Sequence, residues 1–303
     1  MKNKILNCFK NPSYIIVYML SKFGKIFRFM SDKEFLRLKY YLIFRKKLNF
    51  ENPQTFNEKI QWLKLYDIKD NYSNMVDKYD VKNYVKEIIG EEYIIPTYGI
   101  YDRFEDIDIG CLPKQFIIKC THLGGGTGVV ICKDKDQFDI KKYKKQFNKL
   151  LKKNLFWHGR ERPYKNIKPR IIIEKLLNGP NNKAIEDYKF FCFNGKVQFL
   201  KVDYNRFENH QANYYNTNLE IQPFGESAYP PNFEHTIVFP KKIKEMIKLA
   251  EKLSQGFKFL RIDLYNVNEK IYFSEITFYP ASGFGKINPP EWDKKLGDLI
   301  IID

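Results

Sequence analysis

Two acids near the end of the chain, in the segments RIDLY and FSEIT, are spaced so that they could share a bound cation. Residues two apart on a β-strand share a face, so Arg261 aligns with Asp263 and Glu275 with Thr277. If the two segments form a hairpin that turns near Glu269, the two acids lie opposite each other. Buried carboxylates side by side repel each other, and Mg²⁺ bound together with phosphate oxygens relieves that repulsion. A solvent-facing strand on which Arg261 pairs with both acids is the alternative.

A lysine followed by a glycine-rich loop is the second candidate for chemistry. Lys119 lies near the end of the apolar run Phe116–Cys120, and the loop after it contains Gly124, Gly125, Gly126 and Gly128. Glycine lets backbone N–H groups approach a phosphate closely, and a lysine supplies a compact positive charge. The loop matches neither GxxxxGK[ST] nor GxGxxG, and an apolar run follows it. This strand–loop–strand order predicts a flap over phosphates, with an ordinary glycine-rich hairpin as the alternative.

A third carboxylate ends another apolar strand. Glu174 follows Ile171–Ile173 and precedes a turn that contains Gly179 and Pro180. A strand that enters such a turn favours a hinge, where exposed backbone groups and one carboxylate can contact an adenine edge.

The elements that must position these residues follow from hydrophobic periodicity and capping signals. Thr55 with Glu58 forms a capping box at the start of a helix. The predicted helices are 53–65, 76–89, 141–153 and 241–253. The predicted strands are 116–120, 129–132, 171–174, 187–193, 196–203, 260–265 and 270–278, with a polar loop up to about residue 239. Strands and helices in this order predict α+β lobes rather than a regular doubly wound sheet.

The charge is unevenly distributed. The formal net charge is +16, which favours an acidic partner. Residues 1–50 contain twelve lysines and arginines against Asp32 and Glu34. Approximate helical spacing predicts a basic helical extension, either packed on the body or in contact with a membrane surface. The apolar run Tyr14–Leu20 is too short to span a bilayer.

The five cysteines are dispersed and form no CxxC pair, which predicts reduced thiols in a cytoplasmic protein. They are Cys8, Cys111, Cys120, Cys132 and Cys192. No Cys/His spacing suits zinc, and no Gly-x-Ser-x-Gly motif indicates a hydrolase. We expect a cytoplasmic protein, with peripheral contact at the inner membrane face if the basic extension binds lipid.

The order of these segments resembles the ATP-grasp enzymes, such as D-alanine–D-alanine ligase. The segments are Asp77-Lys78 before a helix, IIKC with its glycine loop, IIIEKLLNGP, DYKFF, RIDLY and FSEIT. The blocks PQTFNEKIQWLKL, DYKFFCFNGK and YFSEITFYPASGFG resemble the TupA-like ATP-grasp group, which is associated with assembly of cell-surface polysaccharide. The resemblance covers about residues 50–300. It implies an ATP-grasp fold, in which two α+β lobes clasp the nucleotide.

The resemblance also implies roles for individual residues. The residues that would bind ATP are Lys78, Lys119, Gly124, Gly125, Gly126, Gly128, Glu174, Leu177, Asp187 and Lys189. Among them, Glu174 and the backbone near Leu177 would contact adenine, Asp187 the ribose, and the lysines the phosphates.

The implied metal ligands are Asp263 and Glu275, and Arg261 would stabilise the acyl-phosphate transition state. Thr277 is the third implied metal ligand and stands where ATP-grasp ligases usually have an asparagine. A hydroxyl binds Mg²⁺ more weakly than an amide oxygen, so water would fill one coordination position. Arg206, Ser282 and Gly283 lie in loops where an acceptor carboxylate or a product could bind.

The resemblance implies an ATP-dependent carboxylate–amine ligase that modifies a surface polysaccharide. Its substrates would be the carboxylate of an acidic sugar or glycan and an amine. A glycosyltransferase is an alternative because Asp106-Ile-Asp108 has the form of an Asp-x-Asp metal motif. A polyanion- or nucleic-acid-binding protein is a second alternative, but no reader motif is present, and we expect no nucleic-acid partner.

Four regions are predicted along the chain. They are a basic helical extension (1–50), an N-terminal lobe (51–112), a small lobe with the glycine flap (113–177) and a C-terminal lobe with the metal site (178–303).

Overall fold

Two antiparallel sheets form the framework, and helices cover them. The structure, a computed structural model, describes residues 12–179, 185–204 and 210–302. Its helices are α1 (Pro12–Lys22), α2 (Asp32–Phe44), α3 (Phe56–Tyr66), α4 (Tyr72–Val76), α5 (Val81–Ile88), α6 (Ile140–Leu150), α7 (Phe156–Gly159), α8 (Ile243–Leu253) and α9 (Glu291–Asp298). Its strands are β1 (Thr97–Tyr101), β2 (Phe116–Cys120), β3 (Val129–Cys132), β4 (Ile171–Lys175), β5 (Asp187–Phe193), β6 (Lys196–Tyr204), β7 (Gln211–Asn216), β8 (Gly225–Glu226), β9 (Phe259–Val267), β10 (Lys270–Thr277) and β11 (Ile287–Asn288).

The two main sheets differ in size. The small sheet has the strand order β1-β4-β2-β3, and the large sheet has the order β10-β9-β5-β6-β7. All neighbouring strands are antiparallel. Strand β5 lies at the centre of the large sheet and is buried at every position, as expected for a strand covered on both faces. Strands β8 and β11 form a separate short pair.

The capping box predicted at Thr55 is confirmed. The Thr55 hydroxyl accepts a hydrogen bond from the backbone N–H of Glu58, and the Glu58 carboxylate accepts one from the backbone N–H of Thr55. This exchange satisfies two backbone donors that a helix start leaves unpaired. Helix α3 then buries Phe56 and Ile60 in the core of the large sheet.

The basic helices α1 and α2 have a small apolar core of their own. It contains Leu20, Phe35, Leu36, Tyr40, Leu48 and Phe50, and Trp62 of α3 packs against it. The buried ammonium of Lys39 donates to the carbonyl of His158, 2.8 Å away. The described part of the predicted extension is therefore helical and packed on the body.

Two predicted elements differ from the structure. The helix expected over 76–89 begins at Val81, because the Asp77 carboxylate accepts the backbone N–H groups of Tyr79 and Asp80 and forms a turn there. The segment expected to be a polar loop up to residue 239 contains β7 and β8. Strand β7 was not predicted because its residues QANYYN lack a continuous apolar run, although four of the six are buried.

The predicted division between residues 112 and 113 does not coincide with a division in the structure. Strand β1 precedes this point but pairs with β4 of the small sheet. Helices α3 to α5 also precede it, and their apolar residues join the core of the large sheet. The boundary was predicted from a local change in the residue pattern, whereas the sheets are formed by pairing and packing of segments that are distant in sequence.

Candidate active site

A cavity between the two sheets is lined by three lysines and one glutamate among its eight residues. Its empty volume, part of which is open to solvent, is about 290 Å³. The lining residues are Lys78, Lys82, Ile94, Ile95, Lys119, Glu174, Phe273 and Ser274. Three lysines against one glutamate make this wall positive, so it suits a ligand with several negative charges.

Glu174 holds two of these lysines. Its carboxylate pairs with Lys82 and lies 2.7 Å from the Nζ atom of Lys119. Burial raises the pKa of Glu174, but the two ammonium groups outweigh burial, and the pKa is lowered. Burial disfavours the charged form of Lys119, but the attraction of Glu174 is stronger than this effect, so the pKa of Lys119 is raised. The structure therefore brings together Lys119 and Glu174, which the sequence assigned to phosphate and adenine, as a charged pair.

Lys82 is a cavity residue that the sequence reasoning missed. It lies on α5, and its ammonium also donates to the carbonyl of Ile95, 2.9 Å away. The available signal was its spacing, because Lys82 follows Lys78 by four residues within a predicted helix, where such residues lie on one face.

Lys78 connects the cavity to the glycine loop. Its backbone N–H donates to the carbonyl of Thr121 at 3.1 Å, and its ammonium donates to the carbonyl of Leu123. Burial lowers the pKa of Lys78. The first lysine predicted to contact phosphate thus lies directly beside the predicted flap.

The glycine loop joins β2 to β3, which confirms the strand–loop–strand order. Gly125, Gly126 and Gly128 have positive φ angles of 61°, 73° and 76°, a backbone conformation that disfavours other residues. A Cβ atom at Gly125 or Gly126 would meet no atom within 4 Å. The tip of the loop therefore stands clear of the described chain, beside the lysines of the cavity.

The predicted opposition of the two acids is confirmed by the register of β9 and β10. Asp263 is the cross-strand partner of Glu275. The Arg261 guanidinium bridges them, with its Nε 2.7 Å from Asp263 Oδ1 and its NH2 atom 2.7 Å from Asp263 Oδ2 and 2.9 Å from Glu275 Oε1. This bidentate geometry fixes the position of Asp263. Thr277 pairs with Arg261 across the same two strands.

Lys189 binds the acids from the neighbouring strand. Its ammonium pairs with Asp187 and lies 2.9 Å from Asp263 and 3.5 Å from Asp203. Burial opposes its charge, but Asp263 and Asp187 outweigh burial and raise the pKa of Lys189. Lys189 and Asp187, predicted to contact phosphate and ribose, therefore belong in this structure to a buried ion network around Asp263. Asp203 is a member of the network that the sequence reasoning missed.

Comparison with protein-family models matches residues 58–301 to the family described as TupA-like ATPgrasp. The chain belongs to the TupA-like ATP-grasp family. Its mixed α+β structure with antiparallel sheets is the ATP-grasp fold that the sequence predicted. A comparison with curated proteins gave no match.

Solved structures similar to this TupA-like ATP-grasp protein include two D-alanine–D-alanine ligases. The ligase from Bacillus anthracis is 19% identical with a TM-score of 0.45, over 78% of this chain and 72% of that chain. The ligase from Helicobacter pylori is 14% identical with a TM-score of 0.45, over 82% and 67%. A phosphoribosylamine–glycine ligase from Thermotoga maritima is 17% identical with a TM-score of 0.40, over 68% and 48%. At these values, membership in the family rests on the family-model match.

Asp263 and Glu275 are the two acids of this TupA-like ATP-grasp protein that the resemblance assigns to a magnesium ion. Within the described ranges, no group of three or more His, Cys, Asp or Glu side chains could hold a metal. Asp263 is fully buried, and both of its oxygens accept from Arg261 or Lys189. Glu275 is 35% exposed and bonds to Arg261 through Oε1. One or two carboxylates plus phosphate oxygens are a usual Mg²⁺ environment, and Glu275 is the more accessible of the two carboxylates.

The turn that contains two of the predicted substrate residues has an uncommon backbone. Ala281, Ser282 and Gly283 have φ angles of 47°, 55° and 60°. The buried ammonium of Lys64 holds this turn by donating to the carbonyl of Ser282 at 2.8 Å and to the carbonyl of Gly159 at 2.8 Å. Such strain persists only where surrounding contacts enforce it, and it is common near functional sites. Lys64, like Lys82 and Asp203, was not predicted from the sequence, because its partners are distant along the chain.

The remaining predicted residues lie in different places. Leu177 packs in an apolar cluster with Ile95, Val267 and Tyr272, and Ile95 also lines the cavity. The hinge was predicted to contact adenine through backbone groups and Glu174, and Leu177 lies here in an apolar cluster. Arg206 lies outside the described residues.

The Asp-x-Asp segment is exposed, and both acids have local partners. Asp106 pairs with Arg103, and Asp108 accepts from the backbone N–H of Gly110 at 2.9 Å and from the Cys111 thiol at 3.0 Å. These contacts are typical of a surface loop. Among the described residues, no helix is both long and apolar enough to cross a membrane.

Proposed function

We propose that this TupA-like ATP-grasp protein is an ATP-dependent carboxylate–amine ligase that acts on a cell-surface polysaccharide or its precursor. One observation carries the proposal. A cavity with three lysines lies between β2 and β4 of the small sheet, which contribute Lys119 and Glu174, and β10 of the large sheet, the strand that carries Glu275. The negative charge of a nucleoside triphosphate complements the lysines of this wall, and membership in an ATP-grasp family indicates that the nucleotide is ATP.

In the proposed mechanism, the lysines of the cavity neutralise the phosphates while a substrate carboxylate oxygen attacks the γ-phosphorus and ADP leaves. Glu275 and Asp263 would hold Mg²⁺, which supplies positive charge to the phosphate oxygens when bound. Arg261, fixed by Asp263, presents a planar cation beside these acids for the charge that develops on the transferred group.

The second step forms the amide bond. The amine attacks the acyl carbon of the acyl phosphate, inorganic phosphate leaves, and the nitrogen loses a proton. Backbone N–H groups of Gly124 to Gly128 cover the phosphates and exclude water, which would otherwise hydrolyse the acyl phosphate. The acidic sugar or glycan and the amine remain proposals that rest on the family resemblance.

A screen for ADP release tests the function. Acidic sugars are crossed with amines in the presence of ATP and Mg²⁺, and we expect ADP release only with a matching pair. A thermal-shift comparison of ATP with UDP- and GDP-sugars, each with Mg²⁺, tests the nucleotide, because a ligand that binds the native state stabilises it. Stabilisation by a sugar nucleotide alone, without any by ATP, would show that the chain is a glycosyltransferase instead.

Replacing Lys82 by Met is expected to weaken ATP binding about tenfold, the loss of roughly 1.4 kcal/mol that one charge-assisted contact contributes. The variant removes one of the three cations of the cavity and leaves the pair of Glu174 with Lys119 in place. Calorimetric titration with ATP measures the change. The matched control is Lys86→Met, one helical turn further on, where the lysine is 56% exposed and pairs with Glu91 on the surface. Equal ATP affinities of both variants and the parent would show that Lys82 does not contribute to nucleotide binding.

A further inference from the structure

The described N-terminal segment exposes an unusual concentration of apolar side chains. Of the twenty large apolar residues that are exposed in the described chain, eight lie between residues 14 and 29. We call them the N-terminal apolar face, and they are Tyr14, Ile15, Ile16, Tyr18, Met19, Phe23, Ile26 and Phe29. Ile26 is 65% exposed and Phe29 is 78% exposed. Apolar patches of this kind on a folded chain mark an interaction surface.

The opposite side of the same segment is attached to the body. Leu20 is fully buried, and Gly24 packs so closely on α7 that a Cβ atom at this position would lie 1.8 Å from the Trp157 carbonyl oxygen. The carbonyl of Ser21 lies 3.0 Å from Nδ1 of His158. These contacts hold one side of the segment against the protein and leave the N-terminal apolar face directed outward.

The charged residues within the segment that carries this face are all positive. Residues 12–31 contain Lys22, Lys25 and Arg28 and no acid. The Lys22 ammonium lies 2.6 Å from the Tyr18 hydroxyl and 5.5 Å from the centre of the Phe23 ring. Aromatic and aliphatic side chains interleaved with lysine and arginine are the composition that binds the interface of an anionic bilayer, where the apolar groups enter the acyl boundary and the cations meet the headgroups.

We propose that the N-terminal apolar face, together with Lys22, Lys25 and Arg28, docks the protein on an anionic lipid bilayer. Charge complementarity selects this occupant. A second copy of the chain would bring identical cations together, and like charges across an interface oppose association. Helix α1, which carries five of the eight residues of the face, has eleven residues, too few to span a bilayer, so the segment lies on the surface.

The proposal concerns binding to lipid and does not depend on the reaction proposed above. A protein that fails to release ADP can still bind vesicles, and a ligase that binds no vesicles remains a ligase. A negative result in the ADP-release screen and a negative result in vesicle binding can therefore be told apart.

Vesicle flotation with the full chain tests the proposal. We expect the protein to float with mixed phosphatidylcholine–phosphatidylglycerol vesicles and to remain unbound with phosphatidylcholine alone. The double variant Ile26→Ser and Phe29→Ser should lose at least about tenfold in affinity for the mixed vesicles, because two exposed apolar side chains no longer enter the interface. Both side chains are mainly exposed, so the melting temperature should not change.

A second variant tests the charge. The triple variant Lys22→Gln, Lys25→Gln and Arg28→Gln is also expected to lose at least about tenfold. The matched control is Lys141→Gln, Lys145→Gln and Lys149→Gln on α6, which removes three exposed lysines from a helix whose apolar residues Phe147 and Leu150 face the core. This control should bind like the parent.

Three outcomes would overturn the proposal. The first is equal binding to neutral and anionic vesicles. The second is an equal loss in the α6 control, which would show that net charge alone attracts the protein. The third is a dimer, seen by light scattering, that Phe29→Ser dissociates in the absence of any vesicle binding, because the face would then be occupied by a second copy.

Discussion

Replacing Glu275 by Gln is expected to lower ADP release at least about 100-fold with the active substrate pair, a loss typical of a group that stabilises charge in the transition state. Glutamine keeps the size of the side chain and removes the negative charge opposite Asp263. Glu275 is 35% exposed and has one ion pair, with Arg261. Because partly exposed ion pairs contribute little to folding, the melting temperature should change little.

The control for this prediction is Glu269→Gln, at the exposed turn of the same hairpin. It removes the same charge from the same pair of strands, away from the cavity. Steady-state ADP release and thermal melting are measured for both variants and the parent. If Glu275→Gln releases ADP at the parental rate, the carboxylate pair has no part in ATP turnover, and the proposed metal ligands are wrong.

Replacing Asp263 by Ala is expected to lower the free energy of unfolding by about 3–5 kcal/mol, the range for breaking a buried ion pair from one side. The change leaves the guanidinium of Arg261 and the ammonium of Lys189 buried, with their shared carboxylate removed. Chemical denaturation measures the loss. A loss of activity in Asp263→Ala would therefore be confounded by its loss of stability, and Glu275→Gln is the better test of the reaction.

The matched control is Asp106→Ala, which also removes an aspartate from an arginine, here Arg103 on the surface. This pair is exposed to solvent, so we expect an unchanged denaturation midpoint. If both variants lower the free energy of unfolding by the same amount, burial does not increase the contribution of the Asp263 ion network to stability.

The same network predicts a dependence on pH. Burial raises the pKa of Asp263, but Arg261 and Lys189 outweigh burial and lower it below its usual value. A carboxyl whose pKa is lowered in the folded state stabilises the protein fully above its unfolded pKa of about 4, and this contribution is lost as the pH falls further. The difference in unfolding free energy between the parent and Asp263→Asn should therefore shrink below about pH 4. A constant difference down to the acid transition would contradict the lowered pKa.

Local features of the sequence were sufficient for several parts of the site. The capping box at Thr55 needs only residues three apart. The hairpin of β9 and β10 was also predicted, but its two-residue turn at Asn268 and Glu269 would by itself pair Asp263 with Ser274. A β-bulge between Phe273 and Glu275 shifts the register and brings Glu275 opposite Asp263. Four glycines between two apolar runs likewise predicted the loop between β2 and β3.

Other parts depended on contacts between distant segments. The family resemblance assigned Lys189 and Asp187 to a nucleotide, but Lys189 binds Asp263, which is 74 residues away in the sequence. Lys64 binds the carbonyl of Ser282, 218 residues away. No periodicity or short motif encodes such pairings, because they arise only when the sheets and helices have assembled.

By itself, the sequence determined most of the strands and helices and the glycine loop, since these follow from the spacing of neighbouring residues along the chain, and its ordered motifs resemble the TupA-like ATP-grasp family. The tertiary structure decided which charges neutralise one another. In a buried region each ion needs a partner at hydrogen-bond distance. Strands β5, β6, β9 and β10 bring those partners together from different parts of the chain. The accessible acid that remains is Glu275, and the cations of the cavity are Lys78, Lys82 and Lys119.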